Sequence, residues 1–135
     1  MWITTLVIEE LKKWLNDNLG DRVVNFKEIT AEIALYAIQG PKSRDVINAI
    51  VADNIDDLEN FDIKQTTVDG IGVMVAKAGF TGSLGYELHF HPKFSAKIEE
   101  IISEKGKPFD IGEVTLADVM LQTLPAEAGF ILSHD

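Results

Sequence analysis

Residues 61–90 read FDIKQTTVDGIGVMVAKAGFTGSLGYELHF, and this stretch decides the fold. Asp69-Gly70 stands between two runs, Phe61 to Val68 and Ile71 to Ala76. A two-residue hairpin turn needs positive φ at both central positions, and Asp-Gly supplies it. Three glycines spaced three apart follow, Gly79, Gly82 and Gly85, ending against Tyr86-Glu87. Glycine reaches positive φ at low cost and lets another group approach the backbone closely. Repeating it costs folding entropy, so a compact loop of defined shape is expected. Beyond the loop, Tyr86, Leu88 and Phe90 alternate with Glu87, His89 and His91, which is the period of a strand. The glycine stretch has two readings. One is a tight turn between strands; the other is a small-molecule recognition loop, with the Tyr86 ring and the Glu87 carboxylate beside it.

Working outward, Glu9 to Leu19 carries Leu11, Trp14, Leu15 and Leu19 at helical spacing, with Glu9 and Lys13 one turn apart. Gly20 follows in the position of a left-handed cap. The opening residues Met1 to Ile8 and the segment Val23 to Ile29 read as strands. Ile33 to Ile38 is apolar on both faces and short, which predicts a central, fully covered strand. Gln39-Gly40-Pro41 turns the chain into a helix with Val46, Ile47, Ile50 and Val51 as its buried stripe, proline suiting the first helical position. Phe94, Ile98, Ile101 and Ile102 mark a further helix halted near Gly106. Thr115 and Asp118 open another through Leu124, which Pro125 ends. The order β-α-β-β-α-β-β-β-α-α predicts a single α+β domain over residues 1–135, a largely antiparallel sheet with helices packed on it.

Composition narrows the function. The chain has 135 residues, of which 46% are hydrophobic and 25% charged, enough for one ordinary core. Twelve Lys and Arg stand against 22 Asp and Glu, a net charge of −10, which argues against binding a phosphate backbone. No apolar run approaches the length of a membrane span, and the start has no basic leader. With no cysteine there is no disulfide, thiolate metal site or thiol nucleophile, and a cytoplasmic location is favoured. Asp53, Asp56, Asp57, Glu59 and Asp62 lack the glycine and bidentate glutamate of a calcium loop, so they read as a solvated connection.

Few residues invite chemistry. Glu87, His89 and His91 share one strand face, but the outer two Cα atoms are roughly 13 Å apart, too far for one zinc. No nucleophile motif surrounds a serine, and neither a P-loop nor a dinucleotide fingerprint is present. Gly40-Pro41-Lys42-Ser43 places backbone N–H groups at a helix start that could receive an anion, with a plain helix start as the simpler reading.

Three segments together resemble a known family: Leu35-Tyr36-Ala37-Ile38-Gln39-Gly40-Pro41-Lys42-Ser43-Arg44, then Gly79 to Glu87, then Glu127-Ala128-Gly129-Phe130. In this order they are similar to the A-(L/V)-Q-G-P-x-(S/A), G-Y-T-G-E-D-G-Y-E and R-L-E-A-G-x-x-L-Y-G motifs of the glycine cleavage T-protein family, the tetrahydrofolate-dependent aminomethyltransferases and their demethylase relatives. The middle motif is the most specific, and the likeness runs from about Lys12 to Asp135. The resemblance implies one half, the second, of a duplicated folate-binding domain, without the half that carries the family's aspartate at the reacting amine and without its C-terminal barrel. It implies tetrahydrofolate as cofactor, with Glu87 holding the pterin ring and Phe80, Tyr86 and Gly82 beside it. A carboxylate suits that role because it accepts two adjacent N–H donors as a bidentate pair.

Phe80 stands where the family has tyrosine, and Ser83-Leu84 replaces its acidic pair. Leu121 and Pro125 fall at the two arginine positions ahead of the last motif, and Gln122 at the aspartate between them. The expectation is part of a one-carbon transferase that shows no turnover as this chain alone, with a lipoyl carrier protein as partner of the full enzyme. A non-catalytic folate-binding or structural module is the alternative. Apolar residues at both ends, Trp2-Ile3 and Phe130 to Leu132, are expected to drive association, with a second copy as a homodimer or with another chain.

Overall fold

The computed structural model describes residues 7–79, 81–114, 127 and 129. Among them run, in order, α1 (Ile8–Asn18), β1 (Ala34–Gln39), α2 (Ser43–Ile50), β2 (Ile63–Val68), β3 (Ile71–Ala76), β4 (Gly85–Phe90) and α3 (Ser95–Gly106). The four strands form one sheet in the order β1-β4-β3-β2, with every pairing antiparallel. The α+β class is therefore as the sequence predicts. The expected opening strand, the helix after Thr115 and the positions Leu121, Gln122 and Pro125 lie outside the described residues.

The hairpin forms for the reason its sequence supplies. Asp69 and Gly70 take φ of 49° and 76°, and Val68 pairs directly with Ile71 across them. The chain then passes through the glycine loop and returns as β4, which lies between β3 and β1. This return puts Tyr86, Leu88 and Phe90 on the face that α2 and α3 cover, and all three are buried. Val73 and Val75 of β3 and Val68 of β2 join them. From the helices come Val46, Ile47, Ile50, Ile98 and Ile101. Ile47 and Ile98 are wholly removed from water, each contributing about 2 kcal/mol by area.

The opposite sheet face carries Leu35, Ala37 and Gln39 of β1, Glu87 and His89 of β4, Met74 of β3, and Ile63 and Gln65 of β2. On this face Leu35 and Ile63 are exposed, while Ala76 and His89 are largely shielded from water.

Three sequence expectations change. Residues 33–38 were expected to be a central strand covered on both sides, yet β1 ends the described sheet and only its Tyr36 and Ile38 side meets the helices. Leu35 and Ala37 on its other side are exposed, so the apolar run did not report cover on both faces. Val23 to Ile29 was expected as a strand, but it makes no ladder, and Val23 is 95% exposed. β-Propensity without a neighbouring strand leaves backbone groups to water. Finally, α1 buries none of its residues; Leu11 and Leu15 are half-covered and Trp14 is exposed. Lys12, not Lys13, pairs with Glu9 and also reaches Glu28, tying α1 to the following segment, while Gly20 supplies the left-handed cap at φ 59°.

Candidate functional site

The first two motif segments meet in space. Gln39, the last residue of β1, pairs with Gly85, the first of β4. Its side-chain amide lies inside the glycine loop: Nε2 donates to the carbonyls of Ala78 at 3.3 Å and Tyr86 at 3.5 Å, and Oε1 accepts the Thr81 hydroxyl at 3.1 Å. A Cβ on Gly79 would stand 2.2 Å from that Oε1, and one on Gly85 2.0 Å from it. A side chain at either position would have to displace the Gln39 amide. Gly82 differs, taking φ of 75° at the tip of the bend.

Leu84 completes the clamp. Its carbonyl accepts the Gly40 N–H at 2.8 Å and the Ser43 hydroxyl at 3.1 Å, so the start of α2 holds the loop's far end. The helix begins at Ser43 rather than at Pro41, and Pro41-Lys42 serve as the turn into it. This role needs no acidic pair at 83–84, and the Leu84 side chain packs against the core.

Glu87 follows two residues later on the sheet face opposite Tyr86 and the core. Its side chain is 25% exposed, and the His89 Nε2–H donates to its Oε2 at 3.1 Å. An ionised carboxylate offers about four acceptor positions, so this bond leaves capacity for a ligand's paired N–H groups. His91 stands past the end of β4 and instead caps the turn at Pro92–Phe94, its Nδ1 accepting the Lys93 N–H. Among the described residues no cluster of three metal-ligating side chains forms.

Tyr86 goes elsewhere. It is fully buried on the helical side of the sheet, where the Arg44 Nε–H reaches its hydroxyl at 3.4 Å. Adjacent strand residues face opposite ways, so Tyr86 and Glu87 share no surface. Strand alternation in the sequence already carried that signal. Phe80 lies outside the described residues. Gly82 and Thr81 sit in the loop itself, with Thr81 buried against Gln39.

Two hollows flank this region. One of about 150 Å3 is bordered by the glycine loop (Gly79, Ser83, Leu84, Gly85) and by Asn60, Phe61 and Lys77. The other, about 330 Å3, lies toward the opposite strand ends, between Met74, Gln65, His89 and Glu32. Glu87 lines neither; it stands on the sheet face between Gly85, which borders the first, and His89, which borders the second. Sequence reasoning singled out Glu87 and the glycines but met Gln39 only as part of a motif, because its contacts depend on a pairing 46 residues away.

Comparison with known proteins agrees with the motifs. The model of the GCVT N-terminal domain matches residues 1–135. An aminomethyltransferase of Thermoanaerobacter sp. (strain X514) is 32% identical over 126 residues, covering 93% of this chain and 34% of the relative. One from Halothermothrix orenii is 32% identical over 127 residues with the same coverage, and a probable aminomethyltransferase of Thermococcus kodakarensis is 31% identical over 144 residues, 92% of this chain and 36% of that protein. The chain thus spans about a third of the length of the curated relatives it matches. With its whole length matched by the domain model and its glycine loop locked onto the Gln39-Gly40-Pro41 turn, the chain belongs to the glycine cleavage T-protein family, whose matched relatives bear the name aminomethyltransferase.

Proposed function

We propose that this chain supplies the Glu87 face of a tetrahydrofolate site in a one-carbon transferase of the aminomethyltransferase kind. The observation that carries the reading is the placement of Glu87. Its carboxylate stands on the sheet face opposite Tyr86 and the core, a quarter exposed, directly after a loop whose shape is held by the Gln39 amide and the Leu84 carbonyl. A strand-borne acid beside a pinned loop is preorganised, so little side-chain freedom is lost when a pterin edge donates to it. When bound, tetrahydrofolate takes up the one-carbon unit on its N5. Glu87 orients the ring, His89 steadies the carboxylate, and the glycine loop keeps both at a fixed depth. Positioning of this kind is a large part of what an enzyme contributes to a transfer between two bound groups.

For these 135 residues alone we expect binding without turnover, since the matched relatives are about three times as long. Tyr86 and Gly82 serve the site from behind, one anchoring β4 in the core and the other shaping the bend. The test is a titration of the chain with tetrahydrofolate, repeated with Glu87→Ala. Loss of a bidentate charged contact is expected to weaken binding by ten-fold or more; equal affinity in the variant removes Glu87 from the role. An aminomethyl-transfer assay with the lipoyl carrier protein checks the second part, and robust activity of the isolated chain would refute it. If neither wild type nor variant binds a folate, the non-catalytic structural module is the better reading.

A further inference from the structure

Phe61 is held in a conformation that its side chain opposes. It is the third residue of a turn closed by the Asp62 N–H to the Glu59 carbonyl, 3.0 Å, and by the Glu59 N–H to the Asp62 carboxylate, 2.9 Å. Its φ is 71°, the left-handed region that turns give to glycine or asparagine. Asparagine is one position away, at Asn60, yet phenylalanine occupies the strained place. Two further bonds fix it there: the Phe61 N–H to the Lys77 carbonyl at 2.9 Å, and the Lys77 N–H to the Asp62 carbonyl at 3.0 Å. The ring gains no burial in exchange, being 83% exposed. Strain retained without a packing benefit points to a use outside the fold.

Phe61 borders the same 150 Å3 hollow as the glycine loop. Gly85 borders it too, on the same strand face as Glu87. Ala76 pairs with Glu87 on one side and with Ile63 on the other, so two strand spacings separate Glu87 from β2. Adding the two residues back to Phe61 gives a span of roughly 12 Å. One fused ring held at Glu87 does not reach so far, whereas a second ring joined to it does.

We propose that Phe61 is a ligand-contacting residue of the same site, stacking on the second aromatic ring of a two-ring ligand whose first ring is held at Glu87. The inference rests on the folate reading and names its missing half: Glu87 takes the pterin, Phe61 the aminobenzoyl ring.

The experiment compares tetrahydrofolate with 6-methyltetrahydropterin, which lacks the second ring, on the full chain and on Phe61→Ala, Phe61→Trp, Phe61→Gly and Glu87→Gln. Phe61→Ala is expected to weaken tetrahydrofolate roughly 5- to 10-fold and leave the pterin unchanged, while Phe61→Trp keeps affinity. Phe61→Gly is expected to raise the melting temperature by a few degrees, because glycine relieves the strain, and still to lose tetrahydrofolate affinity. A residue with a merely structural role would not move stability and binding in opposite directions. If Phe61→Ala and Phe61→Gly bind tetrahydrofolate as wild type does while Glu87→Gln loses both ligands, the stacking role falls and the folate reading stands. If wild type binds neither ligand, the folate reading falls and the stacking role goes with it.

Discussion

The clearest physical claim in this molecule is that Gly85 is glycine because of Gln39, and a double-mutant cycle measures it. Alanine at 85 meets no backbone obstacle, since Gly85 lies in a regular strand and is absent from the positive-φ glycines. Its Cβ would stand 2.0 Å from Gln39 Oε1 and 2.4 Å from Cδ, so the amide must leave the loop. That departure breaks the bonds to the Ala78 and Tyr86 carbonyls, both long, and strips the buried Thr81 hydroxyl of its acceptor. An unpaired buried hydroxyl costs about 1–3 kcal/mol and the two weak bonds about 1 kcal/mol more. Gly85→Ala should therefore destabilise by about 3 kcal/mol, a drop of roughly 10 °C in melting temperature for a chain of this size. In a Gln39→Ala background the amide is already gone, and Gly85→Ala should then change little, giving a coupling of about 3 kcal/mol. Gly82→Ala is the control. Its cost of about 1 kcal/mol arises from φ of 75° and should be the same in both backgrounds. Thermal or urea unfolding of the singles and doubles gives every number. Equal cost of Gly85→Ala in both backgrounds would show that the glycine serves something other than the Gln39 side chain.

Other substitutions separate core from site. Tyr86→Phe removes a hydroxyl whose contact to Arg44 is long, at 3.4 Å; it should cost about 1 kcal/mol or less and leave tetrahydrofolate affinity within two-fold by titration, because the ring lies on the face away from Glu87. Ile47→Ala empties a wholly buried position between α2 and the sheet and should cost about 3 kcal/mol in urea unfolding. The Asn54 and Asn48 amides hold the Asp56 carboxyl below its ordinary value of 3.8. A depressed folded value means that Asp56 stabilises the fold above pH 3.8 and that this is lost as pH falls through the lower folded value. Asp56→Ala should therefore flatten the pH dependence of stability below about pH 4, read from melting temperatures between pH 2 and 6; an unchanged slope would remove Asp56 from the acid response.

The local sequence determined what local chemistry can. Asp69-Gly70 could make only a tight hairpin turn, Gly20 a left-handed stop, and the alternation through Tyr86, Leu88 and Phe90 a half-buried strand, because each depends on a few neighbouring dihedrals or on a period of two. The motifs likewise placed the chain in its family and singled out Glu87 without any coordinates. What stayed hidden was every property that depends on a partner distant in the chain. Strand order put β1 at the end of the described sheet though its residues read as central, and Val23 to Ile29 found no ladder despite suitable side chains. The two kinds of glycine in the loop looked alike until Gln39 was seen between Gly79 and Gly85. Tyr86 and Glu87, adjacent in sequence, were divided between the core and the opposite sheet face by the pleat. Propensity and spacing act over a handful of residues; who stands opposite whom is decided only when the sheet closes, and in this chain that pairing sets the Gln39 amide inside the glycine loop.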